Sequence, residues 1–170
     1  MSEPSSHQVP DVVRWQSADQ ASVAALLAGF GLTLVEVPAA EPIPGSFWGD
    51  DEAGLIDNRL YARCDTPLHS ILHESCHYIC MDDRRRAALH TDAGGDYEEE
   101  NAVCYLQILL AEKINGYSAE GCMLDMDRWG YSFRLGSARA WFERDAEDAR
   151  AALQARGIDP ATGSPLSTAG

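Results

Sequence analysis

The segment from Pro67 to Met81 constrains this chain more than any other part of it. Asp65 and Thr66 offer capping side chains ahead of a proline, whose missing N–H costs nothing in a first helical turn. Leu68, Ile71, Leu72, Tyr78 and Ile79 then supply an apolar stripe, so a helix is expected from Pro67 to Met81. Into that same helix the sequence sets His73, Glu74 and His77. Burying two imidazoles and a carboxylate costs free energy unless something compensates. Whatever the fold, it must bring a compensating group against this helix.

Histidines at i and i+4 project from one face with Cβ atoms about 6 Å apart. Both rings can then reach one ion at zinc–nitrogen distances of about 2.0–2.1 Å. A zinc ion lowers the pKa of a bound water toward about 7, and a glutamate beside the first histidine can take its proton and later deliver it to a leaving group. His73, Glu74 and His77 fit that pattern as two metal ligands and a general base. The bland alternative is a core helix that happens to carry two histidines.

Around this helix the signals alternate between strand and helix. Ser17 as cap and Gly29 as stop predict a helix over residues 18–28. Residues 32–37 alternate like a strand. Two extended pieces, 46–49 and 54–62, are separated by the acidic turn 50–53 and read as a hairpin. After the motif helix, a loop over 82–97 leads to a helix over 98–114, a shorter one from Ser118 to Trp129, and a last one over 138–155 capped by Ser137. Strands come early and helices late, which predicts an α+β, zincin-like layout: a small, mostly antiparallel N-terminal sheet packed on the motif helix, followed by a helical part. Residues 11–157 are expected to form one domain, with a mobile N-terminus over 1–10 and a flexible tail over 158–170.

The surface argues against two partner classes. Thirteen basic and twenty-seven acidic side chains give a net charge of −14, which repels phosphate backbones and anionic lipid heads. No nucleic-acid partner is expected. No apolar run reaches the roughly 18–20 residues of a membrane span, and the first residues lack a signal-peptide pattern, so the expected location is cytoplasmic. Cys64, Cys76, Cys80, Cys104 and Cys122 are odd in number and form no CxxC pair, so they read as buried thiols. Nothing speaks to oligomeric state.

Tetrahedral catalytic zinc needs a third protein ligand, and the best source is Glu98-Glu99-Glu100 at the start of the next long helix. Glu99 shares a helical face with Ala102, Val103, Leu106 and Leu110 and points as the core does. Glu100 shares the more polar face of Val103, Cys104 and Gln107. Glu99 is favoured, with Glu100 kept open. The segment from Glu99 to Leu110 resembles the third-ligand helix of gluzincins, closest to the ImmA/IrrE-like group, with Glu99, Ala102, Tyr105 and Leu109-Leu110 in register. The stretch from Phe47 to Asp57 looks like that group's substrate-side strands. The resemblance covers residues 46–112 and implies His73, His77 and Glu99 as zinc ligands with Glu74 as base. Val103 departs from the asparagine usual there, and Cys76 from the common glycine.

Two rival ligand schemes are weaker. A metzincin would use Asp83, but Cys80 stands where its glycine belongs. A peptide deformylase would use a cysteine such as Cys122 in Glu120-Gly121-Cys122-Met123, but that segment follows the histidines here and precedes them there. His69 reads first as a surface histidine, with a role near the site as the alternative. His90 and Tyr131 are candidates for the cleft, Tyr131 as a transition-state donor. Arg134 reads as a salt-bridge partner ahead of a substrate-carboxylate binder. Trp129, Phe133, Trp141 and Phe142 read as core. The expected function is a Zn2+-dependent peptidase acting on a peptide or protein substrate, which could pair with the strand edge near 54–56. The alternative is a non-catalytic regulatory or interaction module on the same scaffold.

Overall fold

The computed structural model describes residues 11–46, 51–81 and 97–166. A single 3-10 turn, Trp15–Ser17, opens the ordered chain, with the Trp15 amide bonded to the Thr66 carbonyl at 2.8 Å and that of Gln16 to Cys64 at 2.9 Å. That turn consumes Ser17, so helix α1 (Gln20–Gly29) starts later than its sequence signal. Asp19 is its cap, accepting from the Ser22 amide at 3.0 Å.

Strands β1 (Thr33–Val37), β2 (Gly54–Ile56) and β3 (Arg59–Arg63) form one sheet in the order β1-β3-β2. β2 and β3 are antiparallel, but β1 pairs with β3 in parallel along its whole length, from Thr33 opposite Arg59 to Val37 opposite Arg63. The α+β class holds; the mostly antiparallel sheet does not. The extended piece expected over 54–62 folds back on itself at Asp57, whose φ of 55° is the left-handed conformation that aspartate tolerates in turns. The expected partner strand, 46–49, falls mainly on residues 47–50, outside the described residues.

Gly45 lies against β2 instead, at a φ of 74°. Its carbonyl accepts from the Leu55 amide at 3.4 Å, and a Cβ on Gly54 would collide with the Pro44 carbonyl oxygen. The outer edge of β2 is thus covered at Leu55, which removes the strand-pairing site expected near 54–56.

Helix α2 (Leu68–Cys80) carries the motif, and its cap position is Pro67. Asp65 is spent elsewhere: its carboxylate forks onto Arg63 at 2.6 and 2.9 Å. Helix α3 (Tyr97–Ala111) follows, then α4 (Ala119–Trp129), capped by the Ser118 hydroxyl and closed by Gly130 at a φ of 104°. The single helix expected over 138–155 is two: α5 (Ala138–Arg144) and α6 (Glu147–Ala155). The break falls at Asp145-Ala146. Asp145 turns its carboxylate to Arg134, and Glu147 and Asp148 restart the helix as first-turn acids.

The sheet packs on α2, α2 on α3, and α3 on α4 and α6. One buried cluster runs from Trp15 to Ile158, with Leu55, Leu72, Leu106 and Leu153 among its fully enclosed members. Trp141 lies in it, Phe133 and Phe142 pack against it, and Trp129 is half-buried at a cleft. Residues 158–166, expected as a tail, lie back against the helices. Ile158 is buried and bridges to Pro165, the Leu166 amide bonds the Gly157 carbonyl at 2.8 Å, and Gly163 sits against Leu106 and Leu110 of α3. Among the described residues no helix is long and apolar enough to cross a membrane.

Candidate metal centre

His73 and His77 leave the same face of α2 with ring centroids 4.9 Å apart and planes at 80°. Both present Nε2 to the first turn of α3. His77 Nε2 lies 2.7 Å from Glu100 Oε1, and His73 Nε2 lies 3.6 Å from Glu100 Oε2. One donor atom from each of His73, His77 and Glu100 falls within 4.8 Å of the other two. Four ligands at about 2.0–2.1 Å from a tetrahedral ion stand about 3.3 Å apart, so this set needs only small shifts to enclose one.

The carboxylate that joins the two Nε2 atoms in the structure is Glu100, where the sequence favours Glu99 and keeps Glu100 open. A helix turns about 100° per residue, so the two adjacent glutamates meet His77 at different nitrogens. Glu99 does face inward as its apolar neighbours suggest and is buried. Inward, however, lies past the histidine pair: its Oε1 stands 3.6 Å from the far nitrogen of His77, Nδ1. Glu100 sits at the half-exposed rim where the two Nε2 atoms point. The polar face of α3 is the site face.

That face carries a residue that sequence reasoning missed. Gln107 is fully buried, with Oε1 2.9 Å from His73 Nδ1. Its Nε2 donates to the His69 carbonyl at 2.9 Å, which fixes the amide so that the oxygen faces the ring. His73 Nδ1 then carries the hydrogen and Nε2 keeps its lone pair, the form a metal requires. The signal was present: a lone glutamine two turns after Glu100, inside the apolar run from Tyr105 to Leu110.

The two imidazoles are charged differently. Burial, aided by the neighbouring charge of His77, pushes His73 down to about 4. Burial also works against charge on His77, but its hydrogen bond to Glu100, with the nearby Glu99 and Glu74 carboxylates, holds it up at about 9. Burial would raise Glu100, yet its bond to His77 and the two ring charges keep it below the usual carboxylate range. Glu74 and His73 line one cleft of about 700 Å³ together with Glu100, so the glutamate expected as base does border the cluster's open side.

His69 is not a surface residue. It is fully buried, packed edge-on against Trp129 at 5.2 Å and Tyr131 at 5.5 Å, and burial pushes it down to about 3. Its Nδ1 meets the Tyr131 hydroxyl at 3.2 Å, and that hydroxyl also lies 3.5 Å from Gln107 Nε2. The Tyr131 hydroxyl is thus engaged beneath His73. Arg134 forms the ion pair expected of it, with Asp145. All five cysteines are free thiols, and no sulfur joins the histidine–glutamate cluster among the described residues. Asp83 and His90 lie outside the described residues. No protein-family model, curated protein or solved structure matches the chain.

Proposed function

We propose that the protein is a zinc-dependent metallopeptidase in which His73, His77 and Glu100 hold the metal and Glu74 is the general base. The observation that carries this reading is the convergence of the Nε2 atoms of His73 and His77 with the Glu100 carboxylate, beside a cleft lined by His73, Glu74 and Glu100. Three protein ligands with an open fourth position are the donor set of catalytic zinc, whereas structural sites are closed by four. When bound, zinc supplies a water of lowered pKa and a Lewis acid for the scissile carbonyl. With zinc held there, Glu74 would be the residue that takes a proton from that water and delivers it to the leaving nitrogen. Gln107 and Glu99 address the far nitrogens of His73 and His77, an arrangement that orients metal-binding rings. The gluzincin resemblance of the two helices supports this chemistry but implies Glu99, one residue before the carboxylate that joins the two Nε2 atoms.

Metal analysis of purified protein, paired with cleavage of a mixed-sequence peptide library, tests the reading. Wild type is expected to hold one equivalent of zinc and to cleave. Glu74→Gln is expected to hold the same zinc and lose about 10²–10⁴-fold in rate, the usual contribution of a positioned base. Protein that takes up no zinc, or takes it up equally after His73→Ala, overturns the metal site. Zinc uptake with no cleavage by wild type favours the non-catalytic module.

A further inference from the structure

Building on the peptidase reading, we propose that the cleft receives a lysine or arginine side chain of the bound peptide, with Phe133 and Trp141 along its stem and Asp145 and Asp148 at its charged end. The route from the histidines to that corner is built of rings. His73 lies 5.7 Å from Tyr131, Tyr131 stacks on Phe133 at 6.4 Å, and Phe133 stands 5.1 Å from Trp141. One helical turn past Trp141 comes Asp145, whose amide bonds the Trp141 carbonyl at 2.8 Å. Asp148 follows in the first turn of α6, exposed and without a side-chain partner among the described residues. Phe133, Trp141, Asp145 and Asp148 line the same cleft as His73 and Glu74.

The molecule already holds a guanidinium at this corner. Arg134 forks onto Asp145, with Nε 2.9 Å from Oδ2 and the second nitrogen on Oδ1. The Arg134 side chain remains 76% exposed and that of Asp145 20%, so solvent screens the pair from the Arg134 side and a ligand cation can compete for the carboxylate. A peptide arginine would find the same carboxylate, a second one in Asp148, and aromatic faces for its stem and charge. An acidic side chain would meet carboxylates, since Arg134 is the one lysine or arginine of the described lining and is already paired. The net charge of −14 draws cationic peptides toward the protein in the same sense.

Acetylated pentapeptide amides, alanine except for arginine, norleucine or glutamate at the centre, test this by tryptophan fluorescence on zinc-supplemented, full-length Glu74→Gln protein. The arginine peptide is expected to bind about tenfold more tightly than the norleucine peptide, and the glutamate peptide most weakly. Asp145→Asn with Asp148→Asn should bring arginine and norleucine level. Asp148→Asn alone, at an exposed position, should cost at least about threefold of the preference should the double variant not fold. Arg134→Ala removes the internal competitor and should tighten the arginine peptide about threefold; looser binding would mean that Arg134 itself grips the peptide. That result, or equal binding of the arginine and norleucine peptides, overturns the proposal. Library cleavage by wild type separates the two readings: cleavage with no basic preference discards the cation subsite and keeps the peptidase, and selective binding without cleavage does the reverse.

Discussion

His73 and His77 stand one turn apart on one helix, yet α3 surrounds them differently. Burial and the neighbouring charge of His77 hold His73 down to about 4, against the upward pull of Glu100 and of the Gln107 oxygen 2.9 Å from Nδ1. His77 sits between Glu99 and Glu100 and is held up at about 9. Spacing on α2 gives the two rings a shared target. The neighbouring helix sets Glu99 and Glu100 around His77, whose raised value they share with Glu74 of α2, and it places Glu100 beside the Nε2 atoms of both rings.

The sharpest way to break this contrast is to treat the two glutamates alike. Glu100→Gln removes a ligand and is expected to weaken zinc binding by more than about 10³-fold. Glu99→Gln changes the contact to the outer nitrogen of His77 and should cost about 10–100-fold, the range for such partners. Competition with a chromogenic chelator measures both. If Glu99→Gln proves the more damaging, the third ligand is assigned to the wrong residue.

On the His73 side the equivalent change is Gln107→Leu. It should weaken zinc by about 10–100-fold and destabilise the metal-free protein by about 1–3 kcal/mol, since the His73 Nδ1–H and the His69 carbonyl lose a buried partner. Gln107→Glu keeps an acceptor for the ring and should recover part of the zinc affinity. A purely structural glutamine would show the stability loss with zinc affinity unmoved in both variants.

The charge difference sets a pH dependence. His77 is raised in the metal-free fold, so its contribution to stability is complete below the unfolded value near 6.5 and fades as pH climbs through about 9. His73 is lowered, so stability falls as pH drops from about 6.5 toward 4. Zinc must displace the His77 proton, so affinity should rise with pH by up to about tenfold per unit between pH 7 and 9. Calorimetry in buffers of different ionisation enthalpy reads this as close to one proton released at pH 7. Glu100→Gln should flatten the slope; an unchanged slope would place the proton elsewhere.

What was legible in the sequence follows the range of the forces involved. The motif helix, the caps at Ser118 and Ser137 and the α+β class depend on neighbours a few residues away, and they stand as read. The parallel β1–β3 pairing joins residues far apart in the chain, and no local pattern signals it. The fold-back at Asp57 falls on Asp57-Asn58, turn-favouring residues inside an otherwise strand-like run. The choice of Glu100 over Glu99 depends on how α3 is rotated about its own axis against α2. Its apolar residues are spread around almost the whole helix, so burial alone points in no single direction. Gln107 was the better guide, because a buried amide must have partners on the face it occupies.

Tyr131 carries the smallest expected effect and separates two roles for the wall beside His73. A hydroxyl that steadies the oxyanion of a transition state is worth about 10²–10³ in rate. The Tyr131 hydroxyl instead meets His69 Nδ1 at 3.2 Å and Gln107 Nε2 at 3.5 Å, on the side of His73 away from Glu100. Tyr131→Phe leaves the ring and its packing against Phe133 in place and deletes only those contacts. A net loss of about 0.5–1.5 kcal/mol in stability is expected, with zinc affinity and peptide cleavage each falling less than about threefold. Thermal unfolding and cleavage rates on the same preparation measure both. A hundredfold drop in rate with zinc still bound would show that the hydroxyl swings toward the substrate, and would move Tyr131 from the support of His73 to the reaction itself.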